Sequence, residues 1–495
     1  MHIWPATPTG VETNPPQLPR IIQGGMGVGI SNWRLAGAVS RLGQLGVVSG
    51  TALDQILARR LQDGDPDGHM RRGLDRFPIP AMAERIWRKY YVPGGKSPSA
   101  SYKTLPLPTA DSSREFKELC IVANYVEVSL AREGHTHPVG INYLEKIQLP
   151  HLPSLYGAML AGVAYVLMGA GIPFKVPGVM DRLAQHEPTI YPLSVTGAGP
   201  GAGAYTTFTP ADFTGQLLPP LPRPAFLAIV SSDTLALTLA RKSNGHVNGF
   251  VVEGPSAGGH NAPPRGKLQL NDLGEPVYGE RDRVDLDKLL ALGLPVWLAG
   301  GYGSPERLRE AMASGACGIQ VGTAFALCKE SGLREDYRRT LLAAVAAGTA
   351  HVFTDPRASP TGFPFKVAAI PGSLSDESVF QARPRICDLG YLREAYLTRE
   401  GSVDFRCPAE PMSLFVAKGG DANAALGRKC ICNALMANIG HAQIRPGRLV
   451  ENGLVTTGDD LAGIGRFFAS GADDYTAADV VSVLLSGANP SGPVA

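Results

Sequence analysis

The sequence predicts an α/β fold, a (β/α)8 TIM barrel with long insertions and an appended carboxyl-terminal region. Short apolar runs read as eight strands, and helical patterns lie between several of them. Strands that alternate with helices pair in parallel, and eight such units close into a barrel, so an open doubly wound sheet is the second choice. The predicted strands cover residues 21–24, 46–49, 139–142, 164–168, 226–230, 249–253, 295–299 and 318–321.

The spacing of these strands predicts where the barrel is elaborated. We expect the barrel to span residues 1–354, with helices at 33–42, 155–161, 234–242, 286–292 and 305–314. Insertions are expected near 54–138, 184–224 and 261–285, and residues 355–495 are expected to pack on the barrel as an appended region. Because loops that follow barrel strands build the active face, these insertions are candidate lids.

The composition is that of an ordinary globular protein. The 495 residues are 44% hydrophobic and 18% charged, which excludes wholesale disorder, collagen and coiled coil. The formal net charge of +2 gives no indication of binding to nucleic acid or to an anionic membrane. Residues 1–5 lack the features of a secretory signal, and the seven cysteines are an odd number. We therefore expect a cytoplasmic protein with reduced thiols that acts on small ligands.

Residues 147–174 contain no Asp, Glu, Lys or Arg, and a bilayer-spanning helix needs about 20 apolar residues. Prolines bracket this run, and Gly157, Gly162, Gly169 and Gly171 divide it into a short helix and a strand. Buried parallel strands read as continuous apolar runs, so a barrel interior explains the run better than a membrane span.

The first candidate motif is Ile22-Gln23-Gly24-Gly25-Met26, at the end of the first predicted strand. Glycines there let the main chain lie against a flat ligand, although a tight turn between strand and helix explains them equally well.

The second motif runs from Glu253 through Gly258 and Gly259 to His260, at the end of the sixth predicted strand. A histidine at the carboxyl end of a barrel strand occupies a position suited to acid–base catalysis. The alternative is a structural histidine.

The third motif follows the last two predicted strands, as Ala299-Gly300-Gly301 and Gln320-Val321-Gly322-Thr323. Barrels commonly bind a phosphate at this pair of strands, so we favour a phosphate site over two ordinary turns. The glycine run at 197–203 has no amphipathic helix after it and is interpreted as a flexible loop.

Four cysteines of the appended region, Cys387, Cys407, Cys430 and Cys432, could supply thiolates to zinc or to an iron–sulfur cluster. Only the last two are close in sequence, so free thiols are the preferred interpretation and no metal is predicted.

Together these motifs resemble the nitronate monooxygenase (2-nitropropane dioxygenase) family of FMN-dependent barrels. The resemblance spans roughly residues 20–330 and also includes Val139-Gly140-Ile141-Asn142. It implies that His260 is the catalytic acid or base beside the flavin. It further implies that FMN is held by Gly24, Gly25, Met26, Asn142, Gly258, Gly259, Gly300, Gly301, Gln320, Gly322 and Thr323.

A narrower resemblance covers nearly the whole chain. Residues 139–148, 168–173, 253–264, 359–366 and 427–430 are similar to the PfaD-type trans-acting enoyl reductases of polyketide and polyunsaturated fatty acid synthases. This resemblance implies reduction of an enoyl thioester by NADPH through FMN, with His260 or a water that it orients as the proton source. Implied partners are an acyl carrier protein or a polyketide synthase, and a homodimer is compatible with the sequence.

Basic residues could attract an acidic carrier protein, although a solvated basic surface is at least as good an interpretation. The candidates are Arg85, Arg88 and Lys89 in the first insertion, and Arg428 and Lys429 in the appended region. Three other functions stay open: oxidation of alkyl nitronates with O2, a non-catalytic barrel in a synthase assembly, and a flavin-free phosphate-binding barrel enzyme.

Overall fold

The computed structural model of the protein describes residues 18–199, 203–215, 218–469 and 472–486. The strands are β1 (Ile21–Gln23), β2 (Gly46–Ser49), β3 (Val139–Leu144), β4 (Tyr165–Gly169), β5 (Thr189–Leu193), β6 (Val195–Thr196), β7 (Ala204–Phe208), β8 (Ala225–Val230), β9 (Gly249–Glu253), β10 (Val296–Ala299), β11 (Gly318–Val321), β12 (Val352–Asp355), β13 (Phe365–Ala368), β14 (Glu394–Leu397) and β15 (Val403–Arg406).

The helices follow the same chain order. They are α1 (Trp33–Arg41), α2 (Leu53–Gln62), α3 (His69–Asp75), α4 (Pro80–Tyr90), α5 (Arg114–Ala131), α6 (His151–Leu160), α7 (Val176–Ala184), α8 (Ala211–Thr214), α9 (Asp233–Lys242), α10 (Leu286–Leu290), α11 (Pro305–Ala313), α12 (Thr323–Ala326), α13 (Glu335–Ala346), α14 (Glu377–Ala382), α15 (Met412–Ala417), α16 (Ile431–Asn438) and α17 (Ala477–Ser486).

Eight parallel strands form the barrel, in the order β1-β11-β10-β9-β8-β4-β3-β2. The ring closes between the first and last of these, where Ile22 pairs in parallel with Leu45 and the Gln23 N–H donates to the Leu45 carbonyl oxygen at 2.9 Å. The predicted (β/α)8 class is confirmed, and each predicted strand overlaps an observed one.

Two apolar layers stabilise this barrel. Alternate strand residues point inward, so Leu167, Leu227 and Trp297 belong to a compact interior cluster. Their neighbours in sequence, such as Val166 and Met168, face the surrounding helices. Because both faces are buried, the strands read as unbroken apolar runs.

The uncharged run at 147–174 becomes α6 and β4, as the sequence analysis expected. None of the helices in the described residues is long and apolar enough to cross a bilayer.

The predicted insertion at 54–138 contains more regular structure than its sequence indicated. It holds α2, α3 and α4 and also α5, which is buried along most of its length and supplies the connection between β2 and β3. Two acidic residues of α5 interrupt its apolar pattern and are buried as ion pairs: Glu118 with Arg85 at 2.8 Å, and Glu127 with Arg60 at 2.6 Å.

The other two predicted insertions are short hairpin structures. In the second, β5 pairs antiparallel with β7, while β6 pairs in parallel with β14 of the appended region. Of the glycine run at 197–203, residues 200–202 lie outside the described part of the chain, as do residues 1–5. In the third insertion, Leu270 pairs with Pro276 across the expected turn.

The region after residue 354 contacts the barrel at several places. The Tyr391 hydroxyl donates to the buried Asp54 carboxylate of α2 at 2.5 Å. The Lys366 N–H donates to the Gly259 carbonyl oxygen at 2.9 Å, next to β9. These contacts bring segments distant in sequence to the carboxyl ends of the barrel strands.

Candidate active site

A cavity of about 230 Å³ lies at the carboxyl ends of the barrel strands. Residues at or just after the carboxyl ends of all eight barrel strands form its barrel side. The twelve site positions named from the sequence all line this one cavity: Gly24, Gly25, Met26, Asn142, Gly258, Gly259, His260, Gly300, Gly301, Gln320, Gly322 and Thr323. The separated glycine-bearing corners therefore converge on a single space.

The corner after β1 is held by the hydroxyl of Ser31. That oxygen donates to the Gly24 carbonyl at 2.7 Å and accepts from the Met26 N–H at 2.8 Å. The Gly24 N–H in turn donates to the Val321 carbonyl oxygen at 2.9 Å, which joins this corner to the end of β11. The corner is thus fixed by the protein itself.

A side chain at position 25 would clash with Asn142, which explains the glycine there. A Cβ built on Gly25 would lie 2.3 Å from the Cβ of Asn142, far closer than two such atoms approach. Contact with a ligand or a tight turn is what the sequence predicts for this glycine, and the geometry adds packing against the end of β3 as a third reason.

The appended region forms a second wall of the cavity, which the sequence analysis did not identify. Thr456, Thr457, Gly458 and Asp460 line it next to the barrel corners. The Gly259 N–H donates to Thr456 Oγ1 at 2.7 Å. A Cβ on Gly258 would lie 2.8 Å from the Thr457 carbonyl carbon, so the two backbones touch at this point. We call residues 456–460 the tail wall.

Three buried oxygen atoms of residues that line the cavity have no hydrogen-bond partner among the described residues. They are Gln320 Oε1, from the barrel side, Thr457 Oγ1, from the tail wall, and Asn438 Oδ1, from α16. A buried polar group left without a partner costs about 1–3 kcal/mol. Such atoms are expected where a bound molecule supplies the missing partners.

The Thr323 hydroxyl, expected to contact a phosphate, has protein partners. Its oxygen accepts from the Gly458 N–H at 2.9 Å and also bonds to the Asp460 carboxyl. Burial raises the pKa of Asp460 above its ordinary value. A carboxyl group therefore lies beside the predicted phosphate turn, where its charge opposes an anion unless the carboxyl is protonated.

His260 follows β9 and lies between the barrel and the appended region. It pairs as an isolated antiparallel bridge with Phe365, whose ring meets the imidazole edge-on at 4.8 Å. Its Nε2 lies 2.7 Å from Ser359 Oγ. Burial, and secondarily the charge of Lys146, hold the pKa of His260 well below its ordinary value. The imidazole is therefore neutral at physiological pH.

A second cavity of about 240 Å³ adjoins the first and shares its wall at His260 and Glu253. Residues of the third insertion, including Arg265 and Tyr278, line it. Burial raises the pKa of Glu253 to about 7. Glu253 begins the motif that ends at His260, but the sequence alone assigns it no role, because periodicity does not report the burial of a carboxyl group.

The basic residues considered for docking are engaged with the protein's own groups. Three of them form ion pairs: Lys89 with Glu115, Arg88 with Glu84, and Arg85 with Glu118. Arg428 donates to the Ser359 carbonyl oxygen at 2.6 Å, and the Lys429 ammonium lies 3.7 Å from the centre of the Phe380 ring.

The four cysteines of the appended region lie near one another. Cys407 and Cys430 are buried together with Cys387 beside them, while Cys432 lines the main cavity. Within the described residues, no group of three or more His, Cys, Asp and Glu side chains is arranged to hold a metal ion.

Fold and site together define a closed parallel α/β barrel with a glycine-lined cavity at its mouth. Residues 225–355 match the model of the nitronate monooxygenase family. This stretch carries the residues after β9, β10 and β11 that line the cavity, including His260. Over this stretch the match confirms the resemblance seen in the sequence.

Individual relatives match this chain over 100 to 130 residues, a length similar to that of the family match. A nitronate monooxygenase of Pseudomonas aeruginosa is 37% identical over 130 residues, which are 25% of this chain and 34% of that protein. A hydroxy-methyl-oxo-octahydroindene carboxyl-CoA dehydrogenase of Mycobacterium tuberculosis is 31% identical over 100 residues, 20% of this chain and 25% of that protein. The chain thus matches about a third of the length of the first of these curated relatives and a quarter of the second.

Among solved structures, FabK from Thermotoga maritima covers 95% of this chain and 92% of its own, with a TM-score of 0.45 and 15% identity.

Proposed function

We propose that the protein is an FMN-dependent oxidoreductase that uses NADPH to reduce a carrier-bound enoyl thioester, acting in trans in polyketide or fatty acid synthesis. One observation carries this proposal. Segments of the narrower resemblance surround His260: Ser359 contacts its imidazole, Arg428 donates to the Ser359 carbonyl oxygen, and Phe365 packs on the ring. The proposed setting is the cytoplasm, with an acyl carrier protein as partner.

The residues of the main cavity fit FMN. The unpartnered Gln320 Oε1 and Thr457 Oγ1 would meet polar atoms of the flavin ring. The turns at Gly300–Gly301 and Gly322–Thr323 would hold the phosphate, with Asp460 protonated or displaced. Bound FMN supplies hydride chemistry, taking reducing equivalents from NADPH.

The second cavity would hold the acyl substrate. It adjoins the first at His260, so a thioester placed there brings its double bond to the imidazole. His260 would hold or deliver the proton that the α-carbon requires, because general acid help at this atom contributes typically 10²- to 10⁴-fold. Glu253, which lines both cavities, would exclude bulk water and fix the polar end of the substrate.

The decisive experiment is anaerobic. Purified protein loaded with FMN is mixed with NADPH while the flavin absorbance is followed, and crotonyl-pantetheine is then added. We expect NADPH to bleach the flavin and the enoyl thioester to restore its colour. Butyryl-pantetheine, which has no double bond to reduce, is the matched control and should leave the flavin bleached.

Oxidation of alkyl nitronates is the second candidate, favoured by the family match over residues 225–355. In that case a nitronate bleaches the flavin anaerobically, NADPH does not, and O2 restores the colour. A protein that takes up no FMN would contradict both candidates.

A further inference from the structure

A chain of hydrogen bonds leads from the imidazole to a lysine. His260 Nε2 lies 2.7 Å from Ser359 Oγ, which lies 2.8 Å from Thr361 Oγ1. The Lys146 ammonium donates to Thr361 Oγ1 at 3.3 Å. Three polar side chains from two distant parts of the sequence thus continue the site beyond His260.

These hydrogen bonds are partly shielded from solvent, because Lys146 and Thr361 are half-buried. Ser359 has 0% of its surface exposed. The Phe363 ring lies over Lys146, with the ammonium 4.5 Å from the ring centre. Lys146 follows β3 of the barrel, whereas Ser359 and Thr361 precede β13 of the appended region. The contact exists only because these two regions meet.

The direction of the hydrogen bonds is determined by the donors. A charged ammonium group can only donate, so Thr361 Oγ1 accepts from Lys146 and directs its own proton elsewhere. Ser359 Oγ also accepts from the Thr361 backbone N–H at 3.2 Å. With the Thr361 hydroxyl as its second donor, Ser359 has both acceptor positions filled and donates to Nε2. The His260 ring proton is then on Nδ1.

We propose that Lys146, Thr361 and Ser359 form a proton relay that orients His260 and supplies Nε2 with a proton while Nδ1 gives one up. The proposal rests on the proposed function, in which that proton goes to the substrate α-carbon. One C–H bond forms as the Nδ1–H bond breaks. In the same step a proton passes from Lys146 to Thr361, from Thr361 to Ser359, and from Ser359 to Nε2.

The relay explains how a neutral imidazole could donate a proton at this site. His260 is neutral because its pKa is depressed, and a neutral imidazole is a very weak acid unless its second nitrogen gains a proton in the same step. After product leaves, water reaching Nδ1 restores its proton and the relay reverses, which recharges Lys146. One solvent proton is consumed per turnover.

The charges around Lys146 suit this role. Burial lowers the pKa of Lys146 to about 7, and the neighbouring Glu145 carboxylate partly opposes that effect. Glu145 is itself bonded to Tyr191, and neutral His260 is the other titratable group that interacts with the ammonium. Both forms of Lys146 are therefore populated near neutral pH, as proton exchange requires.

The first test needs no substrate. Nitrogen NMR of ¹⁵N-histidine-labelled protein, assigned with His260→Gln, reports which ring nitrogen carries the proton. We expect the Nδ1–H tautomer in the wild type and a mixture of tautomers in Ser359→Ala. A wild-type Nε2–H tautomer would overturn the proposal, whatever the outcome for enoyl or nitronate substrates.

The second test measures kcat/KM as a function of pH. The substrate is whichever one reacts with the flavin in the anaerobic experiment, the enoyl thioester or the nitronate. The wild type should lose activity as pH rises through about 7, because the ammonium form of Lys146 is the donor. Lys146→Met and Thr361→Val should be about tenfold slower below that pH and lack this limb, and Thr361→Ser should restore both.

Lys242→Met, an exposed lysine at the end of α9, is the matched control and should behave as the wild type. A wild-type pH profile in both Lys146→Met and Thr361→Val would refute the relay. If neither substrate class reacts at all, the proposed function fails, while the NMR result still decides the orientation of the relay.

Discussion

The two walls of the cavity differ in how they are built. The barrel side consists of strand ends that neighbouring strands hold in register, and each corner is short and rich in glycine. The tail wall belongs to a segment nearly two hundred positions further along the chain, fixed by a few contacts such as Gly259 N–H to Thr456 Oγ1. The barrel side combines glycine main chain with polar side chains such as those of His260 and Gln320, whereas the tail wall adds further hydroxyl and carboxyl groups.

This difference separates the features that follow from the barrel fold from those that the appended region contributes. Strand ends that meet around one space follow from the fold, so they are compatible with many reactions. The groups that surround His260 from the appended region lie outside the stretch that matches the nitronate monooxygenase family, and the nature of the substrate is expected to depend on them.

The largest expected effect is at His260, where the two regions meet. His260→Ala should retain FMN and slow turnover by roughly a hundredfold or more, the scale of lost general acid–base help. The flavin spectrum and steady-state rates measure this. His246→Ala, an exposed histidine, is the control. Full activity in His260→Ala would remove the imidazole from the reaction and leave the barrel side with only a binding role.

Gly258→Ala tests the contact between the two walls by introducing a steric clash at that point. The new Cβ would lie 2.8 Å from the Thr457 carbonyl carbon, so the tail wall must move. We expect unfolding stability to fall by about 1–3 kcal/mol, the usual scale for overpacking, and FMN affinity to fall with it. Gly254→Ala is the matched control, since its Cβ would meet its nearest atom at an ordinary 3.7 Å. Equal melting temperatures and FMN affinities for the two variants would mean that the tail wall is not part of the binding surface.

Asp460→Asn tests the sign of the charge that the tail wall contributes. Removing a carboxylate near a bound phosphate should strengthen FMN binding several-fold, because like charges repel in a partly buried site. In the wild type, affinity should rise as pH falls through the raised pKa of Asp460, and in the variant this dependence should disappear. Titration of flavin fluorescence measures both effects. Asp272→Asn, which makes the same charge change in an exposed turn, should have no effect.

The sequence was sufficient to predict the barrel and its corners because their signals are local. An apolar run of four or five residues followed by paired glycines indicates a buried strand and a turn without any knowledge of partners. Chain order around a parallel barrel then brings Gly24, His260 and Gln320 to the same mouth. This reasoning needs no long-range information.

The remaining features depend on contacts that no local pattern reports. His260 and Ser359 are 99 positions apart, and nothing in the spacing of either indicates the other. Helix α5 was missed for a related reason. Its buried Glu118 and Glu127 interrupt the apolar face, and two of the arginines that neutralise them, Arg85 and Arg60, lie 33 and 67 positions away. Likewise, the docking role considered for Arg85 did not foresee its pairing with Glu118.

The position of the tail wall has a consequence for biosynthesis. As the polypeptide leaves the ribosome, every barrel strand emerges before residues 456–460 do, and chains of this size generally gain structure as they are synthesised. The nascent barrel therefore presents an open apolar mouth until the last segments arrive to cover it. Mutations that slow this late closure should lower the yield of soluble protein even when the finished molecule is as stable as before.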